Sequence, residues 1–112
     1  MSECLFCKIV SRQIPSKMER ETELLFAFHD INPQAPVHIL LIPKKHIEKL
    51  SDLKIEDAEL ISEIAFLAQE IARAKKLEGY RLVLNNGLEA GQTVFHLHFH
   101  LLGGRKMNWP PG

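Results

Sequence analysis

Histidines at 96, 98 and 100 alternate with Leu97 and Phe99 in the run His96-Leu97-His98-Phe99-His100. Side chains of a β-strand leave opposite faces with period two. The spacing therefore predicts one face bearing three imidazoles, extended by Val94 and Leu102, and a buried face of Phe95, Leu97, Phe99 and Leu101. The outer face of an ordinary half-buried strand carries Thr, Lys or Glu, so three titratable rings in a row mark a reactive surface. Consecutive rings stand about 6.5–7 Å apart at the backbone; two can share a metal, but three would span about 13 Å and fit one ion poorly. Neutral imidazole, with an ordinary pKa of about 6.5, is a competent nucleophile near neutral pH and can form a covalent intermediate with phosphorus. The pattern favours a middle ring that attacks while its neighbours position and polarise.

Directly before this run lies Asn85-Asn86-Gly87-Leu88-Glu89-Ala90-Gly91-Gln92-Thr93, a stretch too polar and glycine-rich to pack inside. Glycine lets a backbone approach a ligand, and the N–H groups and hydroxyl of Gly91-Gln92-Thr93 suit phosphate oxygens. Alone the signal is weak; beside the histidines it gains weight. At the other end, Cys4-x-x-Cys7 is a spacing that suits a metal or redox pair better than a structural disulfide in a cytoplasmic chain. Two thiolates need two further ligands, and His46 and His96 are candidates for a closed Cys2His2 zinc site. The alternative is that both cysteines are small buried hydrophobes at a helical turn.

The elements that must position these groups follow from pattern. The 112 residues, 46% hydrophobic, suffice for one domain spanning 1–112 with a real core. Fourteen basic residues balance fourteen acidic ones, so no footprint for a nucleic-acid polymer or an anionic membrane appears. No apolar run approaches a membrane span, and Met1-Ser2-Glu3-Cys4 lacks leader character, which makes the cytoplasm the expected compartment. Residues 4–10 read as a short helical turn closed by Ile14-Pro15-Ser16. Residues 23–28 and 37–42 read as strands broken apart by Asn32-Pro33 and Pro36. Ala58, Ile61, Ile64, Ala65, Ala68, Ile71 and Ala72 recur at helical spacing and predict one long helix over 55–76, capped by Ser51 or Asp52 and stopped by Gly79. Strands at 80–84 and 94–102 complete an α+β chain with an antiparallel sheet.

The motif His96-Leu97-His98-Phe99-His100-Leu101-Leu102 resembles the signature of the histidine triad (HIT) superfamily, and the likeness extends over nearly the entire chain. Phe28 to Pro36, Ile42 to His46, and the tail Gly103-Gly104-Arg105-Lys106-Met107-Asn108-Trp109-Pro110-Pro111-Gly112 resemble the Hint branch in particular. That resemblance implies a HIT fold with about five antiparallel strands, one long helix and a short N-terminal one. It also implies a homodimer that hydrolyses purine nucleoside 5′-phosphoramidates and aminoacyl-adenylates, releasing AMP or GMP. By motif, His98 matches the nucleophile, His100 a phosphate contact, and His38 a support for the nucleophile's ring. Gln92 and Thr93 match groups on the phosphate and leaving atom, beside Gly91. Asp30 matches the ribose ligand and Asn85 a further substrate contact. Phe6, Ile9, Ile14, Phe28, His29 and Ile31 resemble the base pocket, and Trp109 a contact to the partner's site. The zinc-bearing members match at Cys4, Cys7, His46 and His96, which implies structural zinc. Thr93 stands where Hint proteins often have Ser, a β-branch that narrows the site. Nucleotidyltransferase relatives have Gln where this chain has His100, which favours hydrolysis over transfer. A Fhit-like dinucleoside polyphosphate hydrolase shares the triad but not the Trp-Pro-Pro-Gly ending, and a nucleotide-binding regulatory protein would use the pocket without turnover.

Overall fold

The densest aliphatic stretch of the chain, Val37–Pro43, is buried on both faces, as a central strand must be. In the computed structural model, which describes residues 3–112, this strand (β3) lies at the middle of one five-stranded sheet. Met1 and Ser2, which open the stretch read as lacking a leader, lie outside those residues. The other strands are β1 (Met18–Glu21), β2 (Leu25–His29), β4 (Tyr80–Leu84) and β5 (Phe99–Gly103). Their order is β1-β2-β3-β5-β4, with every pairing antiparallel. With α1 (Leu5–Val10) and α2 (Ala58–Ala74) this is the α+β architecture expected, five strands with one long and one short helix.

Alternation divides the sheet into two chemistries. Leu25, Ala27, Ile39, Leu41 and Leu101 face α2 and meet Leu60, Ile64, Leu67, Ala68 and Ile71 in the main core. Ile64 and Ile71 are fully buried, so truncating either to Ala costs about 2–5 kcal/mol. The opposite face carries Phe26, Phe28, Leu40 and Ile42 under Phe6 and Ile9 of the short α1. Because α1 has only six residues, it covers one end of this face and leaves the region of β3 and β5 to the histidines.

Several boundaries differ from the sequence reading. Strand β1, Met-Glu-Arg-Glu, has almost no apolar signal; it is an edge strand held by backbone pairing to β2. The strand expected over 94–102 begins only at Phe99, because the chain bends at 94–96 and residues 97–98 stay outside the ladder. Leu97 N–H donates to Ile47 O at 2.6 Å, which diverts these residues from the ladder. Helix α2 is not capped by Ser51 or Asp52. Asp57, at its entry, accepts from Lys54 N–H (3.3 Å) and Lys45 Nζ (2.6 Å). Nor is Gly79 the stop: Lys76 adopts the left-handed conformation (φ 60°), Lys76 N–H donates to Arg73 O, and Leu77 N–H to Ala72 O. Arg12 (φ 67°) ends α1 in the same way, with Arg12 N–H on Ile9 O and Gln13 N–H on Lys8 O. No helix among the described residues is long and apolar enough to cross a membrane.

Candidate active site

The bend at 94–96 separates the three triad rings, so they do not form one comb. His96 is fully buried, and its Nε2–H donates to Pro43 O at 2.7 Å. A neutral imidazole has one N–H, so its Nδ1 is left as a lone pair. That lone pair faces Cys4 Sγ (3.4 Å), Cys7 Sγ (3.6 Å) and His46 Nδ1 (3.2 Å). His98 has the reverse arrangement: its Nδ1–H donates to the carbonyl of His96 at 2.7 Å, leaving a bare Nε2. Phe6 places its ring edge-on to His98, with centroids 5.1 Å apart, and to Phe28 at 5.3 Å.

His100 and His38 are diagonal neighbours across β3 and β5, since Leu40 pairs with His100 and His38 with Leu102. Gln34 N–H donates to His38 Nδ1 at 3.0 Å, so the neutral ring's proton sits on Nε2. From there it is donated to His100 Nδ1 at 2.9 Å, which in turn leaves the His100 proton on Nε2. Asp30 Oδ2 lies 3.4 Å from His38 Nε2. A cation among Asp30, His38 and His100 would need Nε2 of His38 bare while Gln34 N–H also demands a bare Nδ1. A neutral ring cannot supply both, so this group does not suit a metal.

Burial pushes these rings toward the neutral form. It lowers the pKa of His98 and of His38, with the carboxylate of Asp30 opposing in both cases. His100 is brought down to about 4, first by desolvation and then by repulsion from His98 and His38. Neutral histidines near pH 7 provide one bare nitrogen at His98 and one N–H donor at His100.

The donor set at the N-terminus fits a metal. Cys4, Cys7, His46 and His96 offer atoms all within 4.8 Å of one another. Tetrahedral zinc with bonds of about 2.0–2.3 Å separates its ligands by about 3.3–3.8 Å, close to the spacings present. Cys4 caps α1, and its sulfur accepts Cys7 N–H at 3.4 Å, which holds the two cysteines of the first helical turn together. Zinc bound here would tie α1 to the bend that carries His96.

The remaining expected residues are less uniform. Phe28 and Ile9 are buried with Phe6 in one apolar cluster, and Ile14 packs against it. Asp30 follows β2 and also accepts Asn32 N–H on Oδ1. Ile31 is 99% exposed, and Asn85 is half-buried just after β4. His29 departs from expectation: it lies on the α2 side, in register with Ile39, and binds Glu19 through Nε2 at 2.8 Å. Alternation requires this, since His29 follows Phe28 directly. Gln92 is buried, and its side chain is spent on the loop, accepting Gly87 N–H and donating to Glu48 O and Val94 O. Gly91 has φ +97°, a conformation that favours glycine. Thr93 is exposed and borders a cleft of about 470 Å³ shared with Cys4, His46 and Glu48. Trp109 is 83% exposed. The groups that sequence reasoning missed are the backbone of Gln34, Pro43 and His96. They fix ring protonation yet carry no residue-type signal.

Comparison with known proteins bears on all of this geometry. The HIT domain family matches residues 11–107. An uncharacterized HIT-like protein of Synechocystis is 50% identical over 98% of this chain and 97% of its own length. A HIT family hydrolase from Legionella pneumophila is 50% identical over 98% of this chain and all of that one, with a TM-score of 0.96. A histidine triad nucleotide-binding protein from Candida albicans is 35% identical over 96% of this chain and 83% of that one, at a TM-score of 0.82. The chain belongs to the HIT domain family.

Proposed function

We propose that the protein hydrolyses purine nucleoside 5′-phosphoramidates and aminoacyl-adenylates through a nucleotide bound covalently to His98. The observation that carries this reading is the His98 Nδ1–H to His96 O bond, which leaves Nε2 as a lone pair on a ring that burial keeps neutral. That nitrogen attacks the α-phosphorus. The bond to the leaving nitrogen or carboxylate oxygen breaks, and a departing amine takes up a proton from the Thr93 hydroxyl, which is resupplied with one from solvent. Water then attacks the same phosphorus, the phosphorus–Nε2 bond breaks, and AMP or GMP leaves with the water's remaining proton lost to solvent. His100 donates Nε2–H to a phosphate oxygen, and His38 holds His100 in that form. Asp30 accepts from the ribose hydroxyls. The base lies against Phe6, Phe28, Ile9, Ile14 and Ile31, while Asn85 and the Gly91-Gln92-Thr93 backbone border the phosphate.

The hydrolase from Legionella pneumophila and the nucleotide-binding protein from Candida albicans support this reading at the level of class. Structural zinc on Cys4, Cys7, His46 and His96, and a homodimer that brings Trp109 to the partner's site, belong to the same proposal. The test is a panel of adenosine and guanosine phosphoramidates, aminoacyl-adenylates and dinucleoside polyphosphates, run with wild type and His98→Ala. Phosphoramidates should be cleaved fastest, and His98→Ala should lose about a thousandfold or more while still binding AMP. Preferred cleavage of dinucleoside polyphosphates, binding without turnover, or near wild-type rates in His98→Ala would each refute it.

A further inference from the structure

The turn that follows β5 touches the loop between β2 and β3 at two places. Gly104 has φ +93°, and a Cβ built there would stand 2.9 Å from Pro36 Cβ, so only glycine allows the approach. One residue on, Arg105 Nε donates to Gln34 O at 3.1 Å, while its Nη1 binds Lys106 O at 3.2 Å. Gln34 is the residue whose N–H meets His38 Nδ1, and its side chain reaches back to Asn32 O at 3.0 Å. Asn32 N–H in turn binds Asp30 Oδ1, and Asp30 N–H binds His38 O. The exposed loop has few other restraints: residues 31–34 and Pro36 are solvent-exposed, and only Ala35 is buried.

We infer that Arg105, with Gly104, is a positioning residue that clamps Gln34 against His38 and thereby sets which nitrogen of His100 carries its proton. The inference rests on the proposed role of His100 as a phosphate donor. The two tautomers of a free imidazole differ little, so the Gln34 N–H on Nδ1, together with the Asp30 carboxylate 3.4 Å from Nε2 that the same loop holds through Asn32 N–H, decides between them. With Gln34 in place, the His38 proton is held on Nε2, and His100 presents Nε2–H to the open face. With Gln34 displaced, His38 can carry its proton on Nδ1. Its bare Nε2 then accepts from His100 Nδ1–H, and the nitrogen His100 presents to a phosphate oxygen becomes a lone pair. A donor is replaced by a repulsive acceptor without loss of any histidine.

Nitrogen NMR of the imidazoles at neutral pH reads this directly. In wild type, His38 Nδ1 and His100 Nδ1 should appear bare and both Nε2 protonated. In Arg105→Ala, the His38 and His100 nitrogens should move toward tautomer-averaged shifts, while His98 keeps a protonated Nδ1. The rate constant kcat should fall about fivefold or more with KM within about twofold. Arg105→Lys, which keeps a donor near Gln34 O, should retain the wild-type pattern. Gly104→Ala attacks the other contact and should shift the same two rings. Unchanged His38 and His100 nitrogens in either folded variant overturn the clamp, whatever happens to activity. Shifted nitrogens with an active His98→Ala would leave the clamp standing and remove the proposed catalytic role.

Discussion

Gln92 offers a sharp test because each atom of its amide has a partner of known polarity. Its carbonyl oxygen accepts Gly87 N–H at 2.8 Å, and its NH2 donates to Glu48 O at 2.8 Å and Val94 O at 3.1 Å. The residue is 1% exposed. Gln92→Glu preserves shape and the first bond but turns the second oxygen toward two carbonyl oxygens. An ionised carboxylate forfeits two hydrogen bonds of about 1 kcal/mol each and leaves buried acceptors opposed, a cost of about 3 kcal/mol. Protonating the acid relieves most of it, so the folded-state pKa should rise well above the ordinary glutamate value. A raised folded pKa means that the stability is intact below the unfolded value and is lost as pH rises through the folded one. Urea unfolding at about pH 5 and about pH 8, each referred to wild type, should show about 2 kcal/mol more destabilisation at the higher pH. Gln92→Ala should be destabilised by a similar total with no such slope. An equal deficit for Gln92→Glu at both pH values would refute the assignment of the amide's donors.

Four further outcomes are expected. Lys76→Gly removes the strain of a left-handed non-glycine residue and should stabilise the fold by about 0.5–1 kcal/mol in the same unfolding assay. Protein prepared without chelator should contain one zinc per chain by elemental analysis. Stripping it, or Cys7→Ala, should lower Tm markedly; protein free of metal, or one whose Tm ignores the loss, would dismiss the zinc assignment. Because the pKa of His100 is depressed to about 4, stability should fall as pH drops from about 6.5 to about 4. There the unfolded chain binds a proton that the folded chain refuses, and His100→Gln should flatten that limb. Deleting residues 106–112 should alter leaving-group preference more than Tm if Trp109 serves a partner's site, and sedimentation should give a dimer at micromolar concentration; unaltered preference or a monomer speaks against it.

The reading from sequence succeeded where chemistry and periodicity are carried by side chains. The apolar spacing of Ile64, Ala68 and Ile71 placed α2, and the aliphatic run from Val37 placed β3. The four residues Cys4, Cys7, His46 and His96 were grouped from ligand chemistry and are close together in space. It failed where backbone hydrogen bonding overrides pattern. Strand β1 is charged, so only its pairing with β2 makes it a strand, and the alternating residues 94–98 leave the ladder because Leu97 is bonded to Ile47 outside the sheet. The polar composition of the 85–93 loop suggested an exposed Gln92, yet that side chain is the plug that closes the loop. For His29 the signal was present: adjacency to Phe28 implies the opposite face.

The last strand in the sequence is inserted between β3 and β4, and this has a consequence for folding. His38 and His100 are 62 residues apart, and among the described residues β4 pairs with no strand but β5. Closing so long a segment has an entropic cost, which the packing of α2 on β3 offsets only in part before the β5 bonds form. A partly folded chain without β5 has β4 unpaired and exposes one edge of Val37–Pro43, a mostly aliphatic strand broken only by His38, whose open backbone groups can pair with another chain. The histidine site therefore exists only in the completed sheet. A ligand that occupies it stabilises the one species in which that edge is covered, and should slow aggregation as well as raise Tm.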